Sequence, residues 1–393
     1  MFKTEILKHM NLYEFLQKTL IEYKTSLLYR KLKTLSPLNG AYIEYNEKKV
    51  LQMSSNNYLG LANDERMKKA VTEAVEKYGI GSTGSRLISG THRLHTELEE
   101  KLAKFKETES AIVFSTGYAA NLGTISTLFT REDAVYSDEL NHASIIDGIK
   151  LSGAAKFIYK HCDMQNLERL LEENHKKYRF NVIITDSIFS MDGDRTPLKE
   201  IINLKEKYGT VLYLDEAHAF GVYGEHGQGL AHELGLNNKI DIQMGTLSKA
   251  AGSEGGYIAG KAELIDYLKN KARSFVFSTA PSIPSIAASI EAVEIIKKDP
   301  ALRKRLLENI EHFRKGLSKL NLEVIPSESA IFCIKLDSIE RALQVSEELL
   351  EKHNIMASCI RPPTVKTPRI RFCISALHAK EDLDYVLEKL ESI

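Results

Sequence analysis

The chain has 393 residues, enough to bury a large core and to divide into more than one domain. Lysine plus arginine and aspartate plus glutamate number 53 each, so no bulk field draws the protein to nucleic acid or an anionic membrane. No apolar run reaches membrane-spanning length, and the four cysteines, Cys162, Cys333, Cys359 and Cys373, lack C-x-x-C spacing, which favours free thiols in a reducing cytosol and a soluble, cytoplasmic protein.

From Met1 to about Lys33 the apolar positions Leu12, Phe15, Leu16, Leu20 and Tyr23 recur at helical spacing, which predicts a helical arm that Arg30 closes. Tyr42 to Met53 alternates as strands do, and Ser54-Ser55-Asn56-Asn57-Tyr58-Leu59-Gly60 turns the chain. A helix from about Glu65 to Tyr78 leads into Gly79 to Gly90, where so many small residues suit either a linker or a loop held close to a ligand or a partner subunit.

Ala111 to Phe114 reads as a strand, and Ser115-Thr116-Gly117-Tyr118 opens a helix whose first N–H groups point at a bound anion. Gly117 and Tyr118 are the candidate phosphate site. Further strands begin at Ala134 and Val182. After the first comes Asn141-His142-Ala143-Ser144, where His142 also suits a helix cap; after the second comes the acidic run Asp186 to Asp194, which lacks the later ligands of a calcium loop.

The strand Val211 to Leu214 ends in Asp215, with Ala217 and His218 on the turn, the way an α/β sheet presents charge at a strand's carboxyl end. A second run, Ile242 to Met244, leads through Gly245 and Thr246 to Lys249 among small residues that leave room for a planar ligand. A buried neutral lysine condenses with a carbonyl. A carboxylate under a heteroaromatic nitrogen keeps that ring protonated and electron-drawing. The ordered pair reads as pyridoxal phosphate chemistry, although Asp-Glu-Ala-His also suits a solvated helix start and the lysine a surface charge.

Strand and helix alternate from about Ala111 to Gly260, which predicts a mostly parallel sheet covered on both faces. A long helix from about Ile283, helices near Ala301 to Leu317 and Ile339 to Lys352, and strands at Ala330 to Lys335 and Arg369 to Ile374 predict a smaller α+β domain. In the last strand Arg369 and Arg371 share a face.

Thr246-Leu247-Ser248-Lys249-Ala250-Ala251-Gly252 resembles the lysine motif of fold-type I pyridoxal phosphate enzymes, and from Asn56 to His378 the chain resembles the α-oxoamine synthases. These enzymes join an amino acid to an acyl thioester with loss of carbon dioxide. The resemblance implies a fold-type I α/β transferase: an N-terminal arm (1–45), a large cofactor-binding domain (46–285) and a C-terminal small domain (286–393). It implies a homodimer with shared active sites and no nucleic-acid or membrane partner. Lys249, Asp215 and His142 become the catalytic set, His142 over the cofactor ring. Ser190, in a run that carries Asp186 where the family has glutamate, contacts the cofactor edge. His218 and Thr246 hydrogen-bond the ring oxygen and phosphate region, and Ser278 and Thr279 reach the neighbour's phosphate. Asn56 and Arg371 meet the amino acid, Arg371 at its carboxylate; Arg30 and Thr364 meet the acyl chain. Arg361-Pro362-Pro363-Thr364-Val365 points to L-alanine and a pimeloyl thioester of coenzyme A or acyl carrier protein, with glycine C-acetyltransferase chemistry as the alternative. An aminotransferase would need no acyl thioester. A silent scaffold would not need Lys249, Asp215, His142 and His218 together.

Overall fold

The computed structural model describes residues 11–392, so the expected start of the N-terminal helix lies outside the described residues. A helix covers Leu12–Thr25, closed at its start by reciprocal bonds between Asn11 and Glu14. It ends at Thr25 and not near Lys33, because the Thr25 and Ser26 hydroxyls turn back onto Glu22 O and Leu27 takes a left-handed φ of 59°. Arg30 therefore lies in an extended segment beyond the helix.

Strands β1 (Ser36–Pro37), β2 (Tyr42–Tyr45) and β3 (Lys48–Gln52) follow as an antiparallel ribbon. The β2–β3 turn puts Asn46 and Glu47 at φ 49° and 62°, the paired left-handed conformation that matches strand twist. The boundary expected at residue 46 thus falls inside a hairpin.

Seven strands build the central sheet: β4 (Ser110–Phe114), β5 (Ala134–Asp138), β6 (Ala155–Tyr159), β7 (Asn181–Asp186), β8 (Val211–Asp215), β9 (Ile242–Thr246) and β10 (Gly256–Gly260). Their order is β4-β10-β9-β8-β7-β5-β6, with β10 antiparallel to both neighbours and the run from β9 to β6 parallel. One face packs Ile112, Phe114 and Ile184 against Ile265, Leu268 and Phe275. The other packs Tyr136, Ile183 and Leu212 against Leu167, Leu171 and Ile201. Burial on both faces is why these strands read as continuous apolar runs.

The C-terminal part adds β11 (Val324–Ile325), β12 (Ile331–Lys335), β13 (Ile355–Met356), β14 (Ser358–Ile360) and β15 (Arg369–Cys373). An antiparallel sheet orders them β11-β12-β15-β14, while β13 pairs in parallel with β3 and so ties the N-terminal ribbon to this region. Helices Glu65–Tyr78, Ile283–Lys298, Pro300–Leu317 and Ile339–His353 lie where periodicity places them.

Behind the carboxyl end of β8 the fully buried Lys106 Nζ sits 2.5 Å from Glu216 Oε2 and also donates to Gln228 O. The other Glu216 oxygen accepts from Ala231 N at 2.9 Å. Removing the cation leaves an uncompensated carboxylate in the interior. Lys106→Met should destabilise the protein by about 3–5 kcal/mol; an unchanged urea midpoint would show that the pair does not hold this turn.

Candidate active site

The carboxyl ends of the parallel strands supply most of the site, as the open-sheet rule requires. β8 delivers Asp215, and β7, its neighbour in register, delivers Asp186 directly beside it. The loop after β9 carries Lys249, the loop after β5 carries His142, and the loop after β4 opens the helix Gly117–Leu128. Together they enclose a cavity of about 220 Å³, lined among others by Gly117, Tyr118, His142, Ser190, His218 and Lys249.

Asp215 is fixed from two directions. Asn121 Nδ2 donates to Oδ2 at 2.7 Å, Ala217 N donates to Oδ1 at 2.9 Å, and Tyr213 Oη anchors Asn121 at 2.6 Å. Asp186 accepts from His142 N at 2.8 Å. Burial and the adjacent Asp215 push the Asp186 carboxyl well above the usual range, against the pull of His142 N–H and Lys249. Burial also pushes the Lys249 amine down, with Arg371 acting in the same direction and Asp215 and Asp186 opposing it. A lysine so placed offers a neutral amine more readily than a surface one.

His142 does two things. Its Nδ1 caps the helix Ala143–Ser152, meeting Ser144 Oγ at 2.8 Å, and its ring lines the cavity. Burial lowers its pKa. His218 is lowered much further, by burial first and then by Lys249 and Arg371, so it is a neutral imidazole whose Nδ1 meets Tyr58 Oη at 2.7 Å. Tyr58 Oη reaches Asn56 Oδ1 at 3.3 Å, and Arg371 Nη2 donates to the same oxygen at 3.1 Å. Arg371 Nε donates to Ser190 O at 2.7 Å. Asn56 and Arg371 thus meet the cavity wall through Tyr58, His218 and Ser190. Thr246 Oγ1 is tied to Gly255 O and Ser248 Oγ, each at 2.9 Å.

Two predicted groups lie elsewhere. Arg30 Nη2 donates to Thr364 Oγ1 at 3.2 Å, which brings the acyl-site candidates to each other but not into this cavity's lining. Ser278 and Thr279 are also outside it; Thr279 pairs with Ser85, so the Gly79–Gly90 segment packs on them. Sequence reasoning missed Tyr58, Asn121, Ser144 and Ser248. Asn121, one helical turn beyond Gly117, had a readable signal, since that spacing faces it toward the same anion end.

The donor set fits pyridoxal phosphate: an amine with depressed basicity, a buried carboxylate held open on one side, a flat imidazole, and a helix start at Thr116–Gly117 with no side chain in the way.

The aminotransferase class I and II family matches residues 48–390. The 8-amino-7-oxononanoate synthase of Thermosipho melanesiensis is 48% identical over 383 residues, 97% of each chain. The 8-amino-7-oxononanoate synthase 1 of Bacillus subtilis is 43% identical over 380 residues, 96% of this chain and 97% of its own. Among solved structures, a serine palmitoyltransferase from S. paucimobilis with bound PLP superposes with a TM-score of 0.92 at 28% identity, covering 98% of both chains. An 8-amino-7-oxononanoate synthase from Francisella tularensis gives 0.75 at 28% identity, covering 87% of this chain and 98% of that one.

His218 makes the apo-protein acid-sensitive in a defined sense. Its folded proton affinity is below the ordinary 6.5, so the unfolded chain binds the proton first and stability falls as pH drops below that value. His218→Gln should show a shallower fall in unfolding free energy between about pH 7.5 and about pH 5. An unchanged slope in denaturant titrations at the two pH values would show that this imidazole is not held neutral.

Proposed function

The chain belongs to the aminotransferase class I and II family and, within it, to the α-oxoamine synthases, and from that premise we propose that it condenses L-alanine with a pimeloyl thioester, releasing carbon dioxide and the free thiol and forming 8-amino-7-oxononanoate. One observation carries this reading: Lys249, Asp215, His142 and His218 surround a single cavity at the helix start of Gly117.

When bound, pyridoxal phosphate supplies an aldehyde that takes up an amine and a pyridinium ring that draws electrons from the adjoining carbon. Lys249 Nζ would hold that aldehyde and would serve as general base for the α-proton of alanine. Asp215, held in place by Asn121 Nδ2–H and Ala217 N–H, would lie against the ring nitrogen and hold its proton. His142 would cover the ring face, Ser190, His218 and Thr246 would contact the ring edge and phosphate region, and the N–H groups at Gly117 and Tyr118 would hold the phosphate. Asn56 and Arg371 hold the alanine carboxylate, Arg371 by its planar fork. Arg30 and Thr364 meet the acyl chain.

A second copy of the chain completes the site in this reading. Ile88 is 85% exposed and Phe277 73%, an apolar surface around the Ser85–Thr279 contact that suits a dimer interface and would turn Ser278 and Thr279 toward a neighbour's phosphate. No helix among the described residues is long and apolar enough to cross a membrane, and all four cysteines are free, which agrees with a cytoplasmic site of action.

Thiol release from pimeloyl and acetyl thioesters, each with alanine or glycine, tests the reaction. Alanine with the pimeloyl ester should be favoured by at least about tenfold; preference for glycine with the acetyl ester would replace this reading by glycine C-acetyltransferase. Lys249→Ala should abolish the visible absorbance of bound cofactor and lower turnover by at least about 10³-fold, and full turnover in that variant would remove the lysine from the mechanism. Arg371→Ala should raise the KM for alanine by roughly 10- to 100-fold, the loss of a charged hydrogen-bonded pair.

A further inference from the structure

The loop after β7 carries Ser190 and is held from one side by the C-terminal part of the chain. Arg371 Nε donates to Ser190 O at 2.7 Å, Arg369 Nη1 to Met191 O at 3.1 Å, and Ser327 Oγ to Gly193 O at 3.1 Å. All three of these contacts pull on backbone carbonyls. Elsewhere the loop meets a residue that the cavity does not use, His161, just beyond the end of β6.

His161 stands between two carboxylates. Its Nδ1 lies 2.9 Å from Asp138 Oδ1 and its Nε2 lies 2.7 Å from Asp194 Oδ2. Both contacts need an N–H, and an imidazole offers two only when it is protonated. Burial alone would lower its pKa, but the hydrogen bonds to Asp138, Asp194 and Cys162 outweigh burial and push the value up to about 12. The other groups around it suit a fixed cation. Glu139 Oε1 accepts from His161 N at 3.2 Å and is itself paired with Lys366, and the Cys162 thiol lies 3.7 Å from Nε2.

The two carboxylates differ in what else holds them. Asp138, buried at the end of β5, also accepts from Leu140 N and Cys162 N, each at 2.9 Å. Among the described residues Asp194 Oδ2 meets only His161 and, at 3.9 Å, the Cys162 thiol, while Asp194 Oδ1 is buried without a partner. A half-satisfied carboxylate is costly to bury, so its one strong bond decides where it sits. Asp194 in turn closes the loop: Phe189 N donates to Asp194 O at 3.1 Å, and Gly193 N donates to Phe189 O at 2.8 Å. The Phe189 ring stands edge-on to His161, with centroids 4.4 Å apart. One imidazolium therefore touches both ends of the segment that presents Ser190.

We propose that His161 is a positioning residue for the amino acid substrate: by tying Asp194 to the end of β5 it fixes the Phe189–Asp194 loop, and the Ser190 carbonyl of that loop aims the Arg371 guanidinium. The inference rests on the reading of Arg371 as the group that holds the amino acid carboxylate. Ser190 O and Asn56 Oδ1 are the oxygen anchors of Arg371, and a loop that drifts takes the first of them with it.

Two variants test this. Asp194→Ala cuts the tie at its partly exposed end and leaves the buried Asp138–His161 pair whole, whereas Asp194→Asn keeps an amide oxygen for Nε2–H. Hydrogen exchange on the cofactor-loaded protein reads the loop without substrate. D194A should speed exchange at the Phe189 and Gly193 amides by at least about tenfold, the loss of one charged hydrogen bond, with D194N within about threefold of the parent. Titration with alanine and with glycine reads the arginine. D194A should weaken amino acid binding by about tenfold and D194N by less than about threefold, while cofactor affinity and the KM for the thioester stay within about twofold. Unchanged exchange in D194A would overturn the tie, and faster exchange with unchanged amino acid affinity would overturn the positioning role. A parallel loss of cofactor, amino acid and thioester affinity would overturn it too, because general loosening gives that pattern. Amino acid binding requires no condensation. A protein that follows the predicted binding pattern but releases no thiol therefore strikes the proposed reaction and not the role of His161.

Discussion

The site depends on a carboxylate held in the interior at the end of a strand buried on both faces. Such a charge is costly unless its lone pairs are met. Asp215 is met by Asn121 and by the N–H of Ala217 on its own turn. The next residue is acidic too and turns the other way, so Glu216 lies against Lys106 behind the sheet. The sequence Asp-Glu therefore splits one strand end into a forward anion available to a ligand and a rear anion consumed by structure. The rear pair fixes the turn that aims the forward one.

Arg371 joins the two halves of the molecule. It belongs to β15 in the C-terminal sheet, yet its guanidinium reaches Ser190 O in the loop after β7 and Asn56 beyond β3. Asn56 leads through Tyr58 to His218 on the Asp215 turn. A ligand that engages Arg371 thus bears on a chain of hydrogen bonds ending beside Asp215, and networks of this kind stiffen as they are completed. Arg369, on the same face, is bound to Met191 O and Asp192 and holds the loop that Arg371 reads.

What the sequence makes legible is what is local. Strand, turn and helix at Val211–His218 and Ile242–Gly252 can be read from apolar runs and small residues, and the charged ends follow from open-sheet geometry. Tyr58 lies 160 positions from His218, so no spacing betrays it; Asn121 lies 94 positions from Asp215, and only its place one turn beyond Gly117 hints at it. The N-terminal helix shows a different limit: its apolar rhythm runs past Thr25, but side-chain bonds to Glu22 O and a left-handed Leu27 end it. The domain boundary expected at residue 46 splits the hairpin at residues 42–52, and pairing of β3 with β13 ties that hairpin to the C-terminal region. Thr279 lies beside Ser85, a contact between segments 194 positions apart that no local pattern announces.

The ionisable residues of the site divide by whether they can give up charge. Burial moves Lys249, His142 and His218 toward their neutral forms and Asp186 toward its protonated form. In the proposed reaction the amine attacks a carbonyl and the imidazole lies against a ring, and both tasks suit neutral groups. Arginine cannot be used this way, because its proton is not released in a protein. Burial works to lower Arg371, but Cys373, Tyr58 and Cys333 around it more than offset that and leave its pKa raised. The permanent charge therefore stands at the margin of the cavity, and the removable charges stand inside it.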